Sequence, residues 1–351
     1  MFKKVSVPKT GNFMRNNVKS SVFGEMYEKV MESSTFVKTY GRGPECRPSS
    51  FPLCPVQIAV RLDKFLHLGY YEERSDMGGE YFTSVGTAAH EAIQFGMGVT
   101  GKVWGDWACR NPRCQRSHDA RDLFDYKGKL IRKGKVTRQS TVNNICPDCR
   151  HEMDYVEKEV DYNGIKGHVD CIVKLAGGGW WVSDYKTSTG NKIDKGKMLL
   201  PERAHKHQVP TYCLALEKQY KLKVAGYSIL YLSRDNPYKF FEYAKRWDDT
   251  LRKQTKEMVM RQRKMFQAAL MAVVRKDVSY AVDYKPCTSR RYYEEQHKCY
   301  SECPFVDQCF KPGFDKFLEK EMFQHSHKRK HVAELLEKHK AILPKPLRII
   351  E

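Results

Sequence analysis

Apolar residues recur at helical spacing directly after Pro55, where Ile58, Leu62, Phe65 and Leu66 share one face. Gly86–Phe95 carries a shorter version of the pattern, with Ala88, Ala89 and Ile93 marking a second buried helix that also holds His90. From Trp104 to His151 the pattern lapses. That stretch is basic, glycine-containing and poor in aliphatic residues, and it reads as an insertion. Residues 1–50 are polar, basic and weakly periodic, and are expected to form an arm. Beyond the insertion the period changes to two. Tyr155–Tyr162 alternates, Asn163-Gly164 is a hairpin turn, and Ile165–Leu175 returns as the partner strand. Gly177-Gly178-Gly179 turns the chain into a strand over Trp180–Lys186. A helix over about Glu202–Tyr220, strands near Val224–Leu232 and Tyr238–Tyr243, and a long helix from about Trp247 to Lys276 follow. This order predicts a mixed α/β core.

Charge narrows the choice of partner. The 351 residues include 62 Lys and Arg against 42 Asp and Glu, a net charge of +20. Such an excess repels itself unless a polyanion binds, and nucleic acid is the commonest one. A generally basic soluble protein is the plainer reading. No apolar run reaches the ~20 residues of a membrane helix, and Met1–Pro8 lacks the apolar stretch of a secretory signal. A soluble, cytoplasmic protein with no membrane partner is expected, in which the 12 cysteines stay reduced.

The residues that suggest chemistry lie on the strands. Asp170 follows Gly167-His168-Val169, and fourteen positions later comes Asp184-Tyr185-Lys186. Asp184 and Lys186 project from one face of a strand, and the glycine turn allows Asp170 to lie beside Asp184. Two converging carboxylates would hold a hard divalent ion such as Mg2+ or Mn2+. A lysine beside it would orient or deprotonate water and offset charge on a phosphorane, the requirements of phosphodiester hydrolysis. An Asp-x-Lys triplet by itself usually marks a solvated surface, but this one ends a strand that begins Trp180-Trp181-Val182. A lone helical histidine is usually structural. Beside two carboxylates, though, His90 would be a natural third ligand and would favour manganese-like ions over calcium. Gln208 and Tyr212 share one helix face, either as a polar stripe or as partners of the lysine or the DNA backbone.

Gly86-x3-His90, Gly167-x2-Asp170, Asp184-Tyr185-Lys186 and Gln208-x3-Tyr212 stand in the order found in RecB-like nucleases of the PD-(D/E)xK superfamily, which the chain resembles over residues 54–310. The resemblance implies a restriction-endonuclease-like mixed sheet flanked by helices. It implies that His90, Asp170 and Asp184 are metal ligands, that Lys186 is catalytic, and that Gln208 and Tyr212 form a supporting motif. Cys299-x3-Cys303-Pro304-Phe305-x3-Cys309 looks like the end of the iron–sulfur members of that group, among them the CRISPR-associated exonucleases and some helicase–nuclease subunits. The resemblance implies a 4Fe–4S cluster on Cys54, Cys299, Cys303 and Cys309. This chain has three residues where the family has two between its first terminal cysteines, and Cys287 is an alternative fourth ligand. A zinc site or reduced thiols are the other readings of these cysteines.

Within the insertion, Cys109-x4-Cys114 and Cys146-x2-Cys149 offer four thiolates and resemble a zinc ribbon, whose ion replaces the core so small a lobe lacks. A run of Lys and Arg from Arg110 to Arg138 suits DNA contact or a solvated face. The expected organisation is an arm (1–50), a nuclease domain (51–312) holding the ribbon (104–151) and a cysteine-rich segment (285–312), and a basic tail (313–351). The tail's His325, His327 and His331 lack acidic or thiolate companions and are not read as a metal site.

The expected function is a metal-dependent DNA nuclease. The resemblance implies an exonuclease acting on ends or single strands in recombination, repair or processing, in a bacterium or a virus infecting one. No Gly-x4-Gly-Lys-Ser/Thr loop is present, so any helicase motor would be a partner, alongside recombination or replication proteins. A non-catalytic DNA-binding assembly subunit and a structure-selective endonuclease or CRISPR-adaptation trimming enzyme are the alternatives. Cys46, Cys171, Cys213 and Cys287 are left without a role.

Overall fold

The structure is a computed structural model that describes residues 35–40, 44–48, 54–99, 103–114, 117–119, 146, 148–194, 203–236, 238–283, 308–309 and 311–343. Most of the basic run between Arg116 and Arg138 lies outside the described residues.

The chain enters through β1 (Thr35–Tyr40), then α1 (Pro55–Leu68), β2 (Tyr71–Asp76) and α2 (Met77–Val99). Pro55, with its preset φ and no N–H to satisfy, opens α1. Gly69, at φ 89°, closes it by donating to the Phe65 carbonyl. The face expected from the sequence is the buried one: Leu62, Phe65 and Leu66 all enter the main core. Within the region expected as an arm, β1 pairs antiparallel with β2, and Pro44 and Cys46 are buried.

The insertion contributes β3 (Asp106–Cys109) and β4 (Ser117–Asp119). The alternating segment that follows is two strands, β5 (Met153–Val156) and β6 (Lys158–Tyr162), separated at Glu157. β5 joins β3 in the small sheet β4-β3-β5, and β6 pairs with β7 (Ile165–Val169) across the Asn163-Gly164 turn. The returning strand is likewise split. β8 (Cys171–Lys174) starts after a break at Asp170 and pairs antiparallel with β9 (Trp180–Ser188).

A short α3 (Gly190–Asp194) and the long α4 (Arg203–Tyr220) cross to β10 (Val224–Ser233), which lies parallel to β9, and β11 (Phe240–Arg246) returns antiparallel. The central sheet is therefore β11-β10-β9-β8, mixed, with its parallel pair inside. α5 (Asp249–Arg275) follows, capped by Asp248, whose side chain accepts from the Leu251 amide at 2.8 Å. This is the mixed α/β sheet with flanking helices that a restriction-endonuclease-like fold requires.

After the short α6 (Ser279–Val282), α7 (Phe314–Met322) and α8 (Arg329–Lys338) occupy the region expected as a basic tail. They are docked on the body of the domain. Phe314, Leu318, Met322 and Leu335 are buried in the main core. His327 Nε2 lies 2.7 Å from Asp63 on α1, and the Lys328 amide donates to the Leu66 carbonyl at 3.0 Å. A second, smaller core surrounds the fully buried Trp107 and includes Met153, Tyr155 and Cys146. Lys158 joins the two units. Its ammonium pairs with Asp106 on β3 at 2.6 Å and lies over the Trp104 and Tyr220 rings. Among the described residues no helix is long and apolar enough to cross a membrane.

Candidate active site

Both strand breaks bear carboxylates, and the ladder register brings those carboxylates together. In the β6–β7 hairpin Lys158 faces Val169, so one step outward Glu157 meets Asp170. In the β8–β9 pair Cys171 faces Ser183, so one step outward Asp170 meets Asp184. Asp170 thus stands between two other acids. Its Oδ2 accepts from the Tyr185 amide at 2.6 Å, and its backbone carbonyl accepts from the Tyr155 hydroxyl at 3.1 Å.

α2 supplies the imidazole. His90 Nε2 is 3.2 Å from Asp170 Oδ2 and 3.7 Å from Glu157 Oε1. The edge of the Tyr185 ring packs against it. α2 reaches this position because Gly86 has no side chain: a Cβ there would lie 2.8 Å from Thr187 Oγ1. Gly167 has a similar cause. A Cβ would lie 2.5 Å from Tyr212 Cε1, so this glycine makes room for a packed ring.

Asp184 is fully buried, and Lys186 Nζ lies 2.5 Å from its Oδ2. Gln208 Nε2 donates to Asp184 Oδ1 at 3.0 Å and lies 2.9 Å from the Tyr212 hydroxyl. All six side chains singled out from the sequence therefore converge: His90, Asp170, Asp184 and Lys186 directly, with Gln208 and Tyr212 bracing Asp184 from α4. Glu157 was missed. The sequence signal was available, because counting outward from the two-residue turn pairs Tyr162 with Ile165 and then sets Glu157 against Asp170.

The electrostatics are those of crowded acids. Burial and the neighbouring Asp170 push the Asp184 carboxyl up to about 7. Burial, then Asp170, also raises Glu157. Hydrogen bonding to Asp170 raises His90 despite its burial. Burial disfavours the Lys186 ammonium, but the Asp184 and Asp170 charges outweigh it and hold its pKa above the usual lysine value.

These residues fit a divalent cation. One ligand atom each from His90, Glu157 and Asp170 falls within 4.8 Å of the others. His90 Nε2 and Asp184 Oδ2 are buried, and their near neighbours are charged members of the same cluster, Asp170 and Lys186. A cleft of about 700 Å³ opens beside the cluster, lined by His90, Asp170 and Lys186, with Thr87, His205 and Arg234 also in its walls.

The PD-(D/E)XK nuclease superfamily model matches residues 64–310, which include every one of these side chains. The chain belongs to that superfamily. Members of this PD-(D/E)XK nuclease superfamily are usually metal-dependent nucleases. Comparison with curated proteins finds no match. Among solved structures, the crystal structure of SSO0001 is similar at 25% identity, over 30% of this chain and 47% of that one, with a TM-score of 0.19. The chain thus spans less than half the length of that relative.

The predicted cysteines divide into two groups. Cys109, Cys114, Cys146 and Cys149 lie together, their sulfurs within 4.8 Å of one another, with Cys109–Cys149 at 3.3 Å and Cys114–Cys146 at 3.8 Å. A tetrahedral ion with ~2.3 Å bonds to sulfur spaces its ligands about 3.8 Å apart. Two tight turns present these thiols: the Cys114 amide donates to the Asn111 carbonyl at 3.0 Å, and the Arg150 amide to the Cys146 carbonyl at 2.9 Å. In the second group, Cys54 is buried at the start of α1, and Cys309 packs half-buried against the main core. Cys287, Cys299 and Cys303 lie outside the described residues.

Proposed function

We propose that this PD-(D/E)XK protein is a divalent-metal-dependent deoxyribonuclease of the RecB-like branch, and an exonuclease acting on free ends or single strands in DNA recombination, repair or processing. The observation that carries the proposal is the convergence of His90, Glu157 and Asp170 with the Asp184–Lys186 pair, beside a cleft that His90, Asp170 and Lys186 line. The net charge of +20 favours a phosphate-rich substrate.

His90, Asp170 and Asp184 would hold Mg2+ or Mn2+, with Glu157 as an additional carboxylate. Bound there, the ion would polarise the scissile phosphate and supply an activated water. The protein groups have distinct tasks. Lys186, kept protonated by two carboxylates, orients the attacking water and offsets charge on the phosphorane. Gln208 fixes the rotamer of Asp184, and Tyr212, packed against Gly167, lies 2.9 Å from the Gln208 amide nitrogen. The Tyr185 amide holds Asp170 in the ligating position.

Two structural cofactors belong to the same reading. The four clustered thiols are a zinc site that stabilises the inserted lobe at 104–151. Cys54, together with Cys299, Cys303 and Cys309 of the 285–312 segment, is assigned to a 4Fe–4S cluster, supported by the resemblance at the chain's C-terminal cysteines.

The test is cleavage of end-labelled linear single- and double-stranded DNA beside covalently closed circles, with Mg2+ or Mn2+. Digestion of linear DNA only, abolished in Lys186→Ala, is the expected result. Cutting of circles would make the enzyme an endonuclease. Inertness of metal-replete, anaerobically prepared protein on every substrate would move the assignment to a DNA-binding assembly subunit.

A further inference from the structure

Beside the cleft, the β10–β11 hairpin presents two aromatic rings that the core does not take up. Tyr238 is 90% exposed and Phe240 64%. Water contact over so much ring surface is costly, and the two side chains lie on either side of a lysine.

The rings are held in place by their backbone. The Ser233 amide donates to the Lys239 carbonyl at 3.0 Å, and the Tyr238 amide to Asn236 Oδ1 at 3.0 Å. The hairpin tip is also tied to the end of β9, the strand that carries Asp184 and Lys186. The Arg234 amide donates to the Ser188 carbonyl at 2.9 Å, and Asp235 Oδ1 accepts from the Gly190 amide at 2.7 Å. The tip therefore keeps a fixed position relative to the carboxylates.

Its register sets its direction. Phe240 faces Leu232 on β10, and Leu232 faces Thr187 on β9. Cross-strand partners share a sheet face, and both Leu232 and Thr187 line the cleft, as does Arg234. Phe240 thus continues the cleft wall outward, with Tyr238 beyond it.

Aromatic rings interleaved with cations beside a phosphate-handling site are the composition of single-strand tracks, where each base offers a π-face and the backbone offers charge. A duplex keeps its bases stacked inside and gives such rings nothing to bind. We propose that the β10–β11 hairpin tip is a base-stacking platform that receives single-stranded nucleic acid at the mouth of the cleft, with Tyr238 and Phe240 against bases and Arg234 and Lys239 against the flanking phosphates. The platform rests on the nuclease reading of the cleft and adds to it the strand state of the substrate.

The test is equilibrium binding by the full chain, without added Mg2+ or Mn2+ to prevent cleavage, of three labelled ligands: oligo(dT), an abasic oligonucleotide of the same length, and a blunt duplex. The variant Tyr238→Ala with Phe240→Ala is expected to bind oligo(dT) about 10-fold more weakly, while the other two ligands change by less than about 2-fold. Both side chains are exposed, so its melting temperature should match wild type. Tyr238→Phe with Phe240→Tyr keeps both rings and should keep the affinity. Unchanged oligo(dT) binding by the alanine variant overturns the platform, and so does an equal loss on all three ligands. The two readings fail separately: cleavage that survives Lys186→Ala removes the nuclease assignment, whereas unaltered oligo(dT) affinity removes only the platform.

Discussion

Among the described residues the protein gathers side chains suited to holding a metal ion in two places, and the two are supported in different ways. The cluster of His90, Glu157, Asp170 and Asp184 stands on the central sheet and α2. Its members are fixed by groups other than a metal: Gln208 holds Asp184, the Tyr185 amide holds Asp170, and Lys186 balances charge. The four cysteines sit on a lobe whose separate core is small, and their sulfurs lie within 4.8 Å of one another. The first cluster is a site the fold builds and an ion would then use. The second is a site where the ion would be part of the fold.

The sharpest way to break that contrast is to remove one member of each. Lys186→Ala should lower the cleavage rate by about 10³-fold or more, because it removes charge stabilisation made in the transition state. Its circular dichroism and melting temperature should stay near wild type. Normal turnover by this variant would refute the site. Cys146→Ser should do the opposite. It should open residues 104–114 and 146–156 to protease, as should a zinc chelator, while the central sheet keeps its hydrogen-exchange protection. The loss expected in the lobe is several kcal/mol, on the order of what structural zinc supplies to small domains. Chelator-treated protein that resists protease throughout the lobe would show that the thiols need no ion.

The acidic cluster should also declare itself through pH. Asp184 is raised to about 7 by burial and Asp170, Glu157 is raised, and His90 is raised by Asp170. Each therefore binds protons more tightly folded than unfolded. For an acid whose folded value lies above its unfolded one, stability is lost as pH rises between the two; for the raised histidine it is lost as pH rises through the folded value. The protein without Mg2+ or Mn2+ should accordingly lose stability between about pH 4 and 7, by on the order of 4 kcal/mol from Asp184. Asp184→Asn should flatten that slope in urea titrations with EDTA present. Mn2+ should raise the melting temperature more at pH 8 than at pH 5, since the ligands must shed their protons to bind it. Equal slopes for the variant and wild type would mean that the cluster is not strained by its own charges.

Much of this was legible in the chain, and what was not has identifiable physical causes. The long helix expected from Trp247 to Lys276 is Asp249–Arg275, shortened at its start because Asp248 is the cap. The hairpin at Asn163-Gly164 and the mixed core follow the pattern. The front of α2 was hidden because Met77–Tyr81 contains two adjacent glycines and no apolar stripe. α7 and α8 bury Leu318 and Leu335 among so many charges that they read as a tail. The division of the first strand at Glu157 was concealed by a residue type. Burial changes phase there, from Met153 and Tyr155 to Lys158 and Val160. The buried residue that marks the change is a lysine, admitted to the interior by Asp106 and two aromatic rings.

Glu157 is for that reason the residue that most finely separates the two kinds of cluster. Because it stands at a break between strands, its side chain is free of ladder constraints, and its Oε1 lies 3.7 Å from His90 Nε2. If it is a ligand, Glu157→Gln removes one charge and one strong oxygen donor from a site whose other members stay fixed by the sheet and α4. The expected effect is about 10-fold weaker Mn2+ binding with little change in melting temperature, since ligand and supporting-shell changes usually cost 10–100-fold. Glu159→Gln is the matched control: it is two positions further on, within β6, exposed, and opposite His168 rather than Asp170. Calorimetric titration of both variants decides the point. Equal affinities would confine the ion to His90, Asp170 and Asp184. A loss in Glu157→Gln alone would show that the small inserted sheet, through β5, delivers a ligand to the central one, so that the cysteine-bearing lobe and the acidic cluster are coupled through a single residue.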